Sequence, residues 1–179
     1  TLENLYGIDI SYYARVNFTS LETIVDALGG VDVNSEVEFE KNGYSFHKGV
    51  NHMNGAQALT FSRERYSFAE GDNQRGKDQE AVLTAIIQKA TSPAIIKSAN
   101  EILTTVGDCV ETNMTSDEMA KLINMHLNNG GSWNIESQAA SGMGDAQACY
   151  SSGMQLLYVM WPDENVVSDV SEKMQKVLK

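Results

Sequence analysis

Apolar residues recur at two different periods along this chain, and the switches between them lay out its elements. Ile8 to Phe18 is rich in β-branched and aromatic residues (Tyr12, Tyr13, Val16, Phe18) and predicts a strand. Leu21, Ile24, Val25 and Leu28 then fall three and four apart, predicting a helix that Gly29-Gly30 stops. Thr19 and Glu22 have the spacing of a capping box for its start. Val31, Val33, Val37 and Phe39 alternate as a strand or extended edge does, and Lys41-Asn42-Gly43 marks a turn. Ser45 to Met53, with His47 and His52, carries no clear period and reads as a loop.

Helical spacing dominates the middle. Asn54 and Gln57 form a second capping box, with Ala56 and Leu59 following. After a loop over 66–71, Asp72 is placed to cap a longer helix to about Ala90, with Val82, Leu83, Ile86 and Ile87 as its apolar stripe. Thr91-Ser92-Pro93 ends that helix and opens another, with Ile95, Ile96, Ala99, Ile102, Leu103 and Val106 inward. Thr115 and Glu118 cap a further helix whose expected core face is Met119, Leu122, Ile123 and Leu127, stopped by Asn129-Gly130-Gly131. Trp133 to Ala139 and Met154 to Trp161 read as strands around a Gly- and Ser-rich loop. Trp161-Pro162-Asp163 reads as a turn. Val166 to Leu178 is a final helix, with Val166, Val170, Met174 and Val177 inward. Strands mixed with helices predict a layered α/β/α domain with a mixed central sheet.

Composition narrows the function. The 179 residues, 42% of them hydrophobic, are enough for a core, and no apolar run is long enough to span a bilayer. With 24 acidic against 13 basic side chains the net charge is -11, which argues against nucleic acid and against a polybasic membrane patch. Leu2 to Gly7 reads as the end of a helix with a glycine cap. The chain is therefore expected to be a piece of a longer protein. Cys109 and Cys149 have no metal spacing. They are expected to pair as one disulfide of an exported protein, worth about 4 kcal/mol in the chain-entropy picture, the alternative being two unpaired buried thiols. His47, His52 and His126 have no ligand spacing either.

Against that acidic background, three of the four arginines, Arg63, Arg65 and Arg75, fall in one short window with Asp72 and Gln79. Guanidinium groups bind phosphate oxygens in bidentate fashion. Arg75 and Gln79 share a helix face near the first turn, where free amides and the macrodipole favour an anion. The window is thus a candidate phosphate or pyrophosphate site. Arginines on a solvated face, and an Asp72 that orients an arginine, touches a metal or only caps a helix, are the alternatives from these residues alone.

The flanking segments carry a resemblance. Ile24-Val25-Asp26-Ala27-Leu28-Gly29-Gly30-Val31-Asp32-Val33 resembles the "LVDALGGVDV" segment of the LytR-CpsA-Psr family. Asn54 to Arg65 is similar to its "NGEQALAYARxR" segment, and Gly71-Asp72-Asn73-Gln74-Arg75 with Gln79 to its "GDxxRxxRQQ" segment; Lys77 and Asp78 fall at variable places. Ala85 to Lys89 with Ser92-Pro93 is also similar. The likeness is strong over residues 1–95 and by position beyond. It implies residues 1–106 as the C-terminal portion of the catalytic domain, and 107–179 as its remainder or a small α/β extension.

Such proteins are held by an N-terminal membrane helix with the catalytic domain on the extracellular face of the cytoplasmic membrane. They transfer teichoic acid or capsular polysaccharide from an undecaprenyl-pyrophosphate carrier to a muramic acid hydroxyl of peptidoglycan, with magnesium. The resemblance puts the pyrophosphate on Arg63, Arg65, Arg75 and Gln79, gives Arg63, Arg65 and Asp72 catalytic roles, and places the polyprenyl tail in an apolar tunnel drawing on Leu21–Leu28 and Val82–Ile87. The family's Asp-x-Arg motif with the metal-binding aspartates is expected ahead of Thr1. This chain alone is therefore expected to have an incomplete magnesium site, to be inactive as a transferase, and to expose apolar surface where strands should pair. Two other readings stand beside this one: a non-catalytic extracellular module that binds lipid-linked pyrophosphate or cell-wall glycan, and an attenuator of envelope-related transcription.

Overall fold

The computed structural model describes residues 1–68, 72–96, 99–128 and 133–178, without the side chains at 96, 99–101 and 103. In chain order the first elements are α1 (Leu2–Tyr6), β1 (Ala14–Arg15), α2 (Phe18–Ala27), β2 (Val31–Ser35), β3 (Phe39–Lys41), β4 (Tyr44–Phe46) and β5 (Gly49–Met53). Then come α3 (Gly55–Arg63), α4 (Asp72–Ala90), α5 (Pro93–Ile96), α6 (Ala99–Val106), β6 (Glu111–Thr112) and α7 (Ser116–Asn128). The last are β7 (Gly142–Ala148), β8 (Leu156–Pro162) and α8 (Glu164–Val177). The chain is α/β, and the strand pairings among the described residues are antiparallel: β1 with β6, β2 with β5, β3 with β4, and β7 with β8. It divides into two compact units, Tyr12–Ser137 and Thr1–Ser11 with Gln138–Lys179.

The larger unit holds the core. Strand β2 alternates as its sequence demands, burying Val31, Val33 and Ser35 and exposing Asp32 and Asn34. Its partner β5 sets Met53 opposite Val31. Helix α2 contributes Val25 and its cap residue Leu28, α3 contributes Ala58 and Phe61, and α4 contributes Val82 and Ala85. The β3–β4 hairpin turns at Asn42 and Gly43, both at positive φ (53° and 82°), as a two-residue hairpin loop requires. That turn sets Phe39 opposite Phe46. Both rings pack on Phe61, at centroid distances of 5.6 and 5.3 Å, and Phe68 meets Phe39 edge-on. Four aromatic rings therefore fix the C-terminal end of α3 and the start of the chain that leaves it.

Helix starts are specified by side chains. The Asn54–Gln57 capping box is complete, and Asp26 accepts the Gly55 N–H at 2.7 Å, so the end of α2 also holds the start of α3. The Thr115–Glu118 box forms as well. Helix α2, however, is capped by Asn17, whose side chain accepts the Ser20 N–H, so it begins before Thr19. This removes most of the strand expected over 8–18: only Ala14 and Arg15 pair, and Tyr12 and Tyr13 are exposed.

Other expectations are corrected by packing. The stretch 45–53 is not a loop but supplies the end of β4 and all of β5. Helix α4 buries Gln74, Asp78, Val82 and Ala85 and packs Ile86 against the core, so Val82 and Ile86 of the expected stripe face inward while Leu83 is 58% exposed. Asp72 is itself helical rather than the cap, and residues 69–71 before it lie outside the described residues. The helix expected from Pro93 to Val106 is helical over α5 and α6, and residues 97 and 98 between them lie outside the described residues. Ile95 and Ile102 pack against the core, while the side chains of Ile96, Ala99 and Leu103 lie outside the described set. On α7, Leu122 and Leu127 are exposed and the buried residue is His126; Asn129-Gly130-Gly131 falls outside the description. The His126 Nδ1 accepts from the Trp133 indole N–H, which leaves Nε2–H to donate to the Thr91 carbonyl at 2.8 Å.

In the smaller unit, Gly7 at φ 62° caps α1, and the Ser171 hydroxyl of α8 donates to the Tyr6 carbonyl. Strand β8 forms as expected, but its partner β7 lies at 142–148, where a loop was expected, and 133–139 is not a strand. Both faces of this ribbon are largely exposed. In α8 only Val170 is buried; Met174 is 36% and Val177 86% exposed. Cys109 and Cys149 are free thiols, each half-buried, so the expected disulfide is not formed; the Cys149 thiol donates weakly to the Gln147 carbonyl.

Candidate anion site

The aromatic cluster delivers the chain at Arg63, the last residue of α3. The guanidinium of Arg63 lies over the Phe18 ring, 4.3 Å from its centroid. On the neighbouring turn of α4, the Gln79 amide donates to the Ser62 carbonyl at 3.2 Å. Arg63 and Gln79 line an apolar groove of about 200 Å3 together with Val16, Phe18, Leu21, Val82, Leu83 and Ile86. A cation and an amide thus stand at the rim of an otherwise oily trough.

Arg65, Asp72 and Arg75 form the second part. The Asp72 carboxylate pairs with the Arg75 guanidinium one turn along α4, and the same oxygen lies 3.9 Å from Nε of Arg65. All three side chains are at least a third exposed, so their groups are free to exchange one anion for another. Asp72 in the first turn of α4 also complements the helix dipole, as any anion there would.

Between the two arginines of Arg63-Glu64-Arg65 sits the residue that the sequence gives least reason to notice. Glu64 is 3% exposed. Its Oε1 accepts from the Tyr66 N–H (2.7 Å), the Ser67 N–H (2.8 Å) and the Ser67 hydroxyl (3.1 Å), and its Oε2 pairs with Lys41 Nζ at 2.8 Å. Burial pushes the Glu64 carboxyl up, but the Lys41 ammonium and the Ser67 and Tyr66 donors together outweigh it and hold it at about 2. The carboxylate pins the turn after α3 onto the β3–β4 hairpin and so directs Arg63 and Arg65 outward on either side.

A magnesium ion has no ready ligand set here. No three His, Cys, Asp or Glu side chains among the described residues converge as a metal site requires, and the Asp72 carboxylate is paired with Arg75. His52 pairs with Asp32 at 2.7 Å on the exposed face of β2. No described helix is long and apolar enough to cross a membrane.

Known proteins share this arrangement of chain. The polyisoprenyl-teichoic acid–peptidoglycan teichoic acid transferase TagU of Bacillus mycoides is 42% identical over 119 residues, 66% of this chain and 39% of that protein. The Enterococcus faecalis protein of the same name is 38% identical over 68% of this chain. The chain thus spans about two fifths of the length of these relatives. Among solved structures, B. subtilis TagU matches all of this chain and 70% of its own at 30% identity, with a TM-score of 0.72. The Lin1025 protein of Listeria innocua matches 98% of this chain and 73% of its own at 29% identity, with a TM-score of 0.80. Residues 1–176 match the LytR_cpsA_psr family along nearly their whole length, and the chain belongs to that family.

Proposed function

We propose that this chain is part of a cell-wall glycopolymer transferase, moving a polymer such as teichoic acid from a polyprenyl-pyrophosphate carrier to a muramic acid hydroxyl of peptidoglycan at the extracellular face of the cytoplasmic membrane. Membrane attachment of the intact protein belongs to the same proposal. The observation that carries it is the pairing of a guanidinium cluster with an apolar groove, Arg65 and Arg75 around Asp72 beside the trough rimmed by Arg63 and Gln79. That combination suits a ligand with a multiply charged head and a hydrocarbon tail.

In the reaction the acceptor hydroxyl oxygen bonds to the phosphorus bearing the polymer. The bond from that phosphorus to the bridging oxygen of the pyrophosphate breaks, polyprenyl phosphate leaves, and the hydroxyl proton passes to solvent. Arg63, Arg65 and Arg75 hold the two phosphates and offset the charge that builds on the leaving oxygen; Gln79 fixes the head at the mouth of the groove. Asp72 occupies Arg75 until the anion arrives. Among the described residues, these side chains do not converge as a magnesium site.

Calorimetric titration of inorganic pyrophosphate and farnesyl pyrophosphate tests this. Both should bind, the farnesyl ester at least tenfold tighter because each buried methylene adds about 0.8 kcal/mol. Arg63→Ala with Arg65→Ala should abolish both. Equal affinity for the two ligands, or binding that survives the double substitution, overturns the reading.

A further inference from the structure

Among the described residues, Arg63 alone lines both the apolar groove and a second, polar one. The second cavity, of about 540 Å3, lies between α3 and the β3–β4 turn and is bordered by Glu22, Lys41, Asn42, Tyr44, Arg63 and Tyr66. Its size falls within the roughly 300–1,000 Å3 of small-molecule sites. We propose that this polar groove binds the acceptor glycan, a strand of N-acetylated amino sugars, with Tyr66 as the platform on which a sugar ring stacks; the assignment to the acceptor rests on the transferase reading above.

Three observations converge on it. The first is chemical. The walls offer a side-chain amide, two phenols and both signs of charge, the groups that hydrogen-bond to hydroxyls and acetamides. The cations Lys41 and Arg63 are matched by the carboxylates Glu22 and Glu64, and Lys41 is already paired with Glu64, so the groove does not select a second phosphate. The second is the state of Tyr66. Its side chain is 87% exposed, yet its backbone N–H is tied to the buried Glu64 carboxylate at 2.7 Å, and its ring stands 6.0 Å from the Arg65 guanidinium. A single exposed tyrosine is unremarkable by itself. An exposed ring on an anchored backbone, at the border of a polar cavity, offers a stacking surface whose backbone is held before the ligand arrives. The third is placement. In-line displacement needs the attacking oxygen and the leaving group on opposite sides of phosphorus. A guanidinium shared by an oily groove and a polar groove allows the donor to enter from one and the acceptor from the other.

The experiment uses the chain as it stands, with a soluble peptidoglycan glycan fragment, a tetrasaccharide of alternating N-acetylglucosamine and N-acetylmuramic acid, as the probe. Backbone amide spectra should shift at 41–44 and 56–66 on addition of the fragment. Tyr66→Ala should weaken its binding at least tenfold, Tyr66→Phe should keep it within twofold, and both should leave farnesyl pyrophosphate affinity within twofold. Shifts confined to other residues, or an unchanged affinity in Tyr66→Ala, overturn the groove assignment. Loss of farnesyl pyrophosphate binding in the unsubstituted chain strikes the transferase reading instead. Glycan binding that still depends on Tyr66 in that event supports the groove as a glycan site.

Discussion

Replacing Glu64 with glutamine tests whether a buried carboxylate organises the arginine window. The native group accepts three donors on one oxygen and an ammonium on the other. Glutamine keeps one acceptor oxygen but turns an NH2 toward either Lys41 or the Ser67 and Tyr66 donors, which leaves donors facing donors in a covered place. The drop in the carboxyl from 4.5 to about 2 corresponds to roughly 3 kcal/mol favouring the folded, ionised state. The side chain is almost fully covered but lies shallow, and water close by screens it, which reduces the figure to about 1–2 kcal/mol. Adding the mispaired amide, Glu64→Gln should cost about 2 kcal/mol at pH 7.

The sign with pH is fixed by the direction of the shift. A carboxyl depressed in the folded state contributes fully above its unfolded value near 4.5 and loses that contribution as pH falls toward 2. Urea unfolding of wild type and Glu64→Gln at pH 7, 4.5 and 3 isolates this term, because the other titrating groups are common to both. The gap should be full at pH 7, and less than half should remain at pH 3. A gap that is absent at pH 7, or that stays constant down to pH 3, refutes the account. Pyrophosphate affinity, measured at pH 7, should fall with the same substitution although Glu64 makes no contact with the ligand, because the turn carrying Arg65 loosens.

Two other carboxylates behave differently. Burial raises the Asp78 carboxyl from 3.8 to about 6 against the pull of the Gln74 amide, Glu36 adds to the rise, and Oδ2 has no partner. A raised carboxyl costs stability as pH climbs through that range, so Asp78→Asn should stabilise by about 1–2 kcal/mol at pH 7 and by nothing near pH 3.5; destabilisation at pH 7 in urea titrations would refute this. Asp72 is 62% exposed and, among the described residues, paired with the arginines, so Asp72→Asn should free them and raise pyrophosphate affinity by up to about fivefold, as loss of a surface ion pair allows. A weaker titration would mean that Asp72 is needed to aim Arg75.

How much of this was legible in the sequence depended on whether the signal was local. The caps at Asn54 and Thr115, the turn at Asn42-Gly43 and the glycine stop after α2 are all made by residues within a few positions of each other, and all formed as expected. The arginine window was legible because an acidic chain has few reasons to gather guanidinium groups. Strand β7 was not, because Gly-Met-Gly-Asp-Ala-Gln-Ala has little intrinsic strand preference and is extended only because β8 pairs with it. The polar part of the buried face of α4 was missed because Gln74 and Asp78 satisfy each other at 2.9 Å, a pairing that hydrophobic periodicity does not register. Glu64 was hidden for the same reason over a longer distance, since Lys41 lies on a hairpin strand that only the fold brings near.

Two of the carboxylates in the window, Glu64 and Asp72, help explain how a chain of net charge -11 can present a positive site at all. Local sequence suggests cancellation, because Glu64 lies between Arg63 and Arg65, and Asp72 precedes Arg75. Burial separates their effects. The charge of Glu64 is consumed by Lys41 and three hydrogen-bond donors, so little of its field reaches the flanking guanidinium groups. Asp72 is exposed, and its carboxylate sits against Arg75 and near Arg65, where it holds the place of an incoming anion. The protein thus spends one negative charge on rigidity and keeps the other as an exchangeable partner, and the local field at Arg63, Arg65 and Arg75 is set by those two placements rather than by the net charge.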